Sequence, residues 1–295
     1  RANRRMHNKS FTVDNMVTIS GGRNIGDEYF GATDVALFND LDMLCVGHVV
    51  KDVSRDFDAY WQSDSSYPAN KILLPTDPAI LEELDKAPLT PEQAKRAAVY
   101  VQQISESVFI QDLLNGTLPL QWTSVRMVSD DPAKGLDEAS REDYLVTELR
   151  DFVGEPKFSL SVVSPYFVPP EKGVEFFSKL AKAAVNVQVL TNSLEATDVA
   201  AVHSGYAKTR VELLKAGVKL FELKSTPGAA KTKRSKRNLM LGNSGSSLHT
   251  KTFSVDGTKV FVGSFNFDPR SVNLNTEMGF LIQSTALATQ IDLAF

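Results

Sequence analysis

Cysteine is nearly absent from the 295-residue chain: Cys45 stands alone, inside the apolar run MLCVGHVV. A single thiol excludes an intramolecular disulfide and any multi-cysteine metal site, and reads as a small buried side chain. Long apolar runs are missing too. No stretch of about 18 hydrophobic residues occurs, which excludes a transmembrane helix within these residues. Charge of one sign is also lacking, because 32 basic and 36 acidic residues leave a net −4. That balance argues against nucleic acid as a partner, and a hydrophobic content of 42% argues against disorder. With no HExxH and no close set of ligands, neither a metal nor another cofactor needs to be invoked.

What is present is a repeat. Residues 7–26 read HNKSFTVDNMVTISGGRNIG and residues 249–268 read HTKTFSVDGTKVFVGSFNFD; without gaps they agree at 7 of 20 positions. His7, Lys9, Asp14, Gly21 and Asn24 recur as His249, Lys251, Asp256, Gly263 and Asn266, always 242 residues later. Chance matches about one position in such a window. Upstream of His249 a run of strands and helices begins near Lys157, whereas six residues precede His7. Equivalent halves imply that roughly 90 residues belonging to the first half lie outside this sequence. A signal, anchor or membrane segment there is compatible with everything above.

Between the motifs the pattern divides the chain at about residue 120. In residues 1–120 the first motif leads to a short strand VTIS, a brief helix over 33–41 and a buried strand MLCVGHVV. An amphipathic helix follows over 51–63, then a helical excursion over 70–116 broken by Pro75, Pro78, Pro88 and Pro91. In residues 121–295, QWTSVRMVSDDPAKG reads as strand plus turn. From Lys157 strands and helices alternate: KFSLSVVS, helix 171–184, NVQVLT, helix 199–216 and VKLFEL. Such alternation predicts an α/β layer with helices outside the sheet. A basic loop with five Lys or Arg between Lys231 and Arg237 then precedes the second motif, and such clusters attract anionic lipid surfaces.

The chemistry of the repeat suits a phosphodiester. Splitting one requires a nucleophile, a proton donor for the leaving oxygen and cations at the non-bridging oxygens. His and Lys two residues apart on a strand face the same way. Two copies facing each other supply two imidazoles and two ammoniums, with Asn24, Asn266 and Ser264 as neutral donors. A histidine serves as nucleophile or acid only when a partner at its second ring nitrogen fixes the tautomer. His48 and His203 have no counterpart in the repeat and read as structural, His48 near the core and His203 on a helix surface. Arg23 and Arg270 flank the motif asparagines as candidates for a second phosphate, and Tyr166 follows a strand where it would line the pocket.

The doubled H-x-K-x4-D with its G-[GS]-x-N resembles the phospholipase D superfamily. SPYFVPP, GGRNIGDEYFG and GSFNFDPRS are similar to its bacterial cardiolipin synthase branch, closest to the C type. The resemblance implies an α/β fold of two pseudo-symmetric α-β-α sandwich halves packed face to face, the first lacking its N-terminal part. It implies His7, Lys9, Asp14, His249, Lys251 and Asp256 as the catalytic motif, with Asp14 and Asp256 usually serving structure. Asn24, Ser264 and Asn266 would bind substrate phosphate. Glu277 would orient one histidine, and Asp42 the other after a seven-residue insertion, with Asp40 the weaker choice, since the position set by the 242 offset is Val35. The reaction implied is cardiolipin synthesis through phosphohistidine, from phosphatidylglycerol and a second phosphatidylglycerol or phosphatidylethanolamine. A peripheral site on the bacterial inner membrane follows. The rival readings are a hydrolase (phospholipase D or nuclease) and an inactive module binding anionic lipid.

Overall fold

The computed structural model describes residues 3–30, 37–75, 77–224, 246–293 and 295. The basic run Lys231–Arg237 and Val35 lie outside the described residues, as does part of the helix expected over 33–41. Among the described residues the strands are β1 (Ser10–Val13), β2 (Val17–Gly21), β3 (Leu37–Asn39), β4 (Asp42–Val46), β5 (Val125–Ser129), β6 (Ser159–Val163), β7 (Asn186–Asn192), β8 (Lys219–Leu223), β9 (Ser246–Leu248), β10 (Thr252–Val255), β11 (Lys259–Gly263) and β12 (Met278–Gln283). Seven form one mixed sheet in the order β5-β12-β11-β10-β6-β7-β8, parallel from β6 to β8 and antiparallel elsewhere. Strands β1, β2 and β4 make a smaller antiparallel sheet.

Each repeat builds the same hairpin. Asp14 and Asn15 turn β1 into β2 at φ 52° and 55°, while Asp256 and Gly257 turn β10 into β11 at 50° and 62°. Asp and Asn tolerate this left-handed backbone through local hydrogen bonding, and glycine has no Cβ to clash. Their surroundings differ. Phe253, Val255 and Phe261 are buried, but their repeat partners Phe11, Val13 and Ile19 are 66, 45 and 38% exposed. In the second repeat β6 covers the outer edge of β10, and helices Glu171–Lys182 and Ala200–Ala216 lie over that face through Phe177 and Leu213.

The opposite face of the large sheet receives the first repeat. Val260, Val262, Phe280 and Ile282 pack against Cys45, Val49 and Val53 as well as Ala288 and Ile291 of the last helix. Burying each aliphatic or phenyl side chain contributes about 1.5–3 kcal/mol, so this layer is what docks the two repeats. Strand β3 crosses the seam to pair in parallel with β9, and Met6 bridges Thr276.

Several local expectations are corrected. Residues 37–39 form a strand, not the end of a helix. The run MLCVGHVV is not one strand: Gly47, at φ 87°, ends β4 and the helix His48–Gln62 begins. His48 is therefore exposed at a helix start, 3.8 Å from Asp52, rather than near the core. The helices of the excursion, Pro78–Lys86, Pro91–Glu106 and Val108–Asn115, bury none of their described side chains.

Candidate active site

The seam brings the two motifs together with near two-fold reciprocity. The His7 amide donates to the Thr276 carbonyl at 3.0 Å, and the His249 amide to the Asn39 carbonyl at 2.8 Å. The next residue in each case is an acid. Nδ1 of His7 lies 2.7 Å from Glu277 Oε2, and Nδ1 of His249 lies 2.6 Å from Asp40 Oδ2. Each histidine is thus held by a carboxylate from the other repeat.

This corrects the assignment of Asp42. Pairing of Gly21 with Asp42 and of Gly263 with Gly279 makes Asp42 equivalent to Gly279, and Asp40 to Glu277, at a difference of 237. The insertion between the repeats is five residues (242 − 237), not seven. Asp42 instead accepts from Arg23 Nε at 2.6 Å. Arg23 also donates to the Tyr29 carbonyl, and Arg270 donates to Asn3 at 2.8 and 2.6 Å, so both arginines are engaged with protein atoms. Gly22 makes room for the shorter acid: a Cβ there would lie 2.3 Å from Asp40 Oδ1. Its equivalent is Ser264.

Ser264 is corrected as well. Its hydroxyl donates to Glu277 Oε2 at 2.6 Å, and Ser271 donates to Oε1 at 2.7 Å. Both hydroxyls therefore serve the orienting acid rather than substrate. Asp14 and Asp256 stand at the hairpin turns, five residues beyond the motif lysines, or roughly 16 Å along a strand. Asp256 accepts from the backbone amides of Lys157, Phe158 and Ser159, which ties the hairpin to the start of β6. Neither aspartate belongs to the reacting cluster.

Lys9 and Lys251 fold back over their own histidines, with Nζ 2.8 Å from the His7 carbonyl and 2.5 Å from the His249 carbonyl. Lys251 Nζ also lies 3.1 and 3.2 Å from the two nitrogens of the His249 ring. Asn24 donates to the Tyr29 hydroxyl at 2.7 Å, and that hydroxyl sits 3.5 Å from His249 Nε2. Tyr29 is a site residue that the repeat does not reveal, since it lies beyond residues 7–26 and the position 242 later is Ser271. Asn266 is buried, with its side-chain oxygen unpartnered, so it has a polar group to offer an entering ligand.

Burial sets the electrostatics. It lowers Lys9 to about 7, helped by the charge of Lys251, and lowers Lys251 itself to about 8. Burial and then the two lysines push His249 down to about 2, while burial raises Asp40 to about 6 against the pull of Lys251. His7 is lowered by burial, with Glu277 resisting. Burial works to raise Glu277, but His7 and the serine hydroxyls outweigh it and hold this acid below its ordinary range. Lys9 and Lys251 act on each other and on both imidazoles, and an anion placed among them favours the charged forms.

Behind Glu277 lies a second buried layer. Asp130 accepts from the Glu277 amide at 2.9 Å and from Lys134 Nζ at 2.8 Å, and Lys134 also donates to the Ser271 carbonyl at 3.0 Å.

Known proteins resemble the chain in sequence and in fold. Residues 149–295 match the family model described as "Cardiolipin synthase, PLD-like domain". Over its whole length the chain is 48% identical to cardiolipin synthase C of Escherichia coli (strain K12), covering 62% of that protein. Residues 149–295 thus belong to the PLD-like domain family. A cardiolipin synthase of Staphylococcus aureus (strain N315) is 24% identical, again over the whole chain and 47% of the relative. Among solved structures, phosphatidylserine synthase of Haemophilus influenzae Rd KW20 covers 98% of this chain and 60% of its own, with a TM-score of 0.61 at 15% identity. That likeness shows the superfamily fold. The chain spans less than two thirds of each of these proteins. Among the described residues no helix is long and apolar enough to cross a membrane.

Proposed function

We propose that this chain carries the reaction centre of a phosphatidyltransferase of the cardiolipin synthase type. The observation that carries the reading is the crossed pair of dyads, His7 with Glu277 and His249 with Asp40, beside Lys9 and the buried Lys251. The two acids are shifted in opposite directions, Glu277 below its ordinary range and Asp40 up to about 6, and that difference assigns roles. An ionised Glu277 accepts from His7 Nδ1–H, which leaves the Nε2 lone pair bare for attack on phosphorus. His249 and Asp40 titrate as a pair, and with the carboxyl raised to about 6 the pair keeps a proton below about pH 6. With Asp40 donating to Nδ1, His249 carries its hydrogen on Nε2, as a general acid requires.

In the first step the bond from His7 Nε2 to phosphorus forms as the bond to the leaving alcohol breaks, and that oxygen takes the proton of His249. Lys9 and Lys251 compensate charge on the non-bridging oxygens. In the second step the glycerol hydroxyl of phosphatidylglycerol gives its proton to His249, its oxygen attacks phosphorus, and His7 leaves. The donor is phosphatidylglycerol or phosphatidylethanolamine, met at the surface of the bacterial inner membrane. The test is incubation of the full-length protein with phosphatidylglycerol liposomes, with and without phosphatidylethanolamine, followed by mass spectrometry. Cardiolipin that disappears in both His7→Ala and His249→Ala is the expected result. Phosphatidic acid as sole product makes water the acceptor, and no turnover overturns the reading.

A further inference from the structure

The reacting cluster contains two acids bonded to histidines, and a third carboxylate, Asp198, stands beyond β7, whose last residue Asn192 donates to the Leu248 carbonyl beside His249 at 2.9 Å. Asp198 follows β7, just as Tyr166 follows β6, so both stand beyond the carboxyl ends of adjacent parallel strands, where α/β sheets gather ligands. The Tyr166 hydroxyl reaches both carboxylate oxygens, at 2.9 and 2.7 Å. Among the described residues no ion pair engages Asp198, although its charge acts on His249, Lys251 and Tyr29 alike. One shared O–H leaves lone pairs open, since an ionised carboxylate accepts at about four positions. Held by Tyr166 and partly exposed, this acid would repel a second anion placed beside it.

We infer that Asp198, anchored by Tyr166, forms the subsite for the alcohol portion of the substrate and accepts from a hydroxyl or ammonium group esterified to the bound phosphate. This rests on the phosphate-site reading above. The anchoring matters because a carboxylate already held by Tyr166 loses little rotamer freedom when a ligand donates to it. A charged acceptor favours an ammonium over a hydroxyl, because a contact with charge on both sides is the stronger.

Three phosphate monoesters separate the contributions by isothermal titration calorimetry: ethyl phosphate, O-phosphoethanolamine and sn-glycerol 3-phosphate. Full-length wild-type protein is expected to bind the last two more tightly than ethyl phosphate. Asp198→Asn should weaken O-phosphoethanolamine by about ten- to a hundred-fold, a hydrogen bond to a charged group being at stake, and glycerol 3-phosphate by less. Ethyl phosphate should bind Asp198→Asn at least as well as wild type, which also shows that the variant folds. Tyr166→Phe should give the same order of effects with smaller size. A preference for donor-bearing esters that survives Asp198→Asn overturns the inference and leaves the phosphate site standing. So does a wild type that binds all three alike. Failure of wild type to bind any of them removes the phosphate-site reading, and the inference falls with it.

Discussion

Asp40 and Glu277 are equivalent by structure, yet they occupy different chemical positions. Glu277 receives two serine hydroxyls and stays ionised, whereas Asp40 sits against Gly22 and is raised to about 6. If Glu277 prepares the nucleophile and Asp40 the acid, Glu277→Gln and Asp40→Asn should each slow transfer by about 10²- to 10⁴-fold. They should differ with leaving group. A p-nitrophenyl phosphodiester needs no proton on departure, so Asp40→Asn should regain most of its activity on that substrate while Glu277→Gln does not. Equal losses on both substrates would contradict the division of roles. Titration offers a second check at this scale. With Lys9 lowered to about 7 and Lys251 to about 8, part of the lysine charge is absent near pH 8. A bound phosphate favours the charged form, so binding should take up protons, read as a calorimetric enthalpy that depends on the buffer. Lys9→Met should reduce the uptake. The motif histidines and lysines were legible because the repeat doubles them. Asp40 is not distinguishable from Asp42 by sequence, because similar context across an insertion is a poor guide to register, which backbone pairing decides.

At the scale of elements, local pattern succeeded where burial is symmetrical and failed where a single residue or a distant strand intervenes. Strands and helices from Lys157 onward alternate as expected because both faces of that sheet are covered. Gly47 divided a run that reads as one strand, and the three residues of β3 have no local signal, since their partner β9 is over 200 residues away. The buried pair of Asp130 and Lys134 is equally silent in sequence, appearing only as the turn-like SDDPAKG. It stands directly behind Glu277 and the Ser271 carbonyl. Lys134→Met removes one partner and leaves a buried carboxylate uncompensated, a change that costs about 3–5 kcal/mol. Urea denaturation of Lys134→Met should show that loss, and of Asp130→Leu/Lys134→Met a clearly smaller one. The hairpins give a parallel contrast: Phe253→Ala should cost about 3–5 kcal/mol, as for a buried phenyl ring, and Phe11→Ala, at a 66% exposed position, well under half of that.

For the whole molecule, the site exists only while the repeats are docked. The amide and the ring of His7 are both held by residues 276 and 277, and those of His249 by residues 39 and 40, so opening the seam releases both dyads together. This linkage distinguishes one composite centre from two half-sites that happen to lie close. Phosphate that bridges the motifs binds only the closed state, and at a hundred times its Kd it stabilises that state by about 2.7 kcal/mol. Exchange of the His7 and His249 amides through seam opening should then slow by the same factor, roughly a hundred-fold, as 1.4 kcal/mol corresponds to each factor of ten. Hydrogen exchange read by mass spectrometry on peptides spanning each motif measures both at once. Slowing confined to one motif would mean that phosphate binds a single repeat and that the dyads open independently. In that case the crossed carboxylates would be a packing device of the seam, and the two-step transfer would lose its geometric basis.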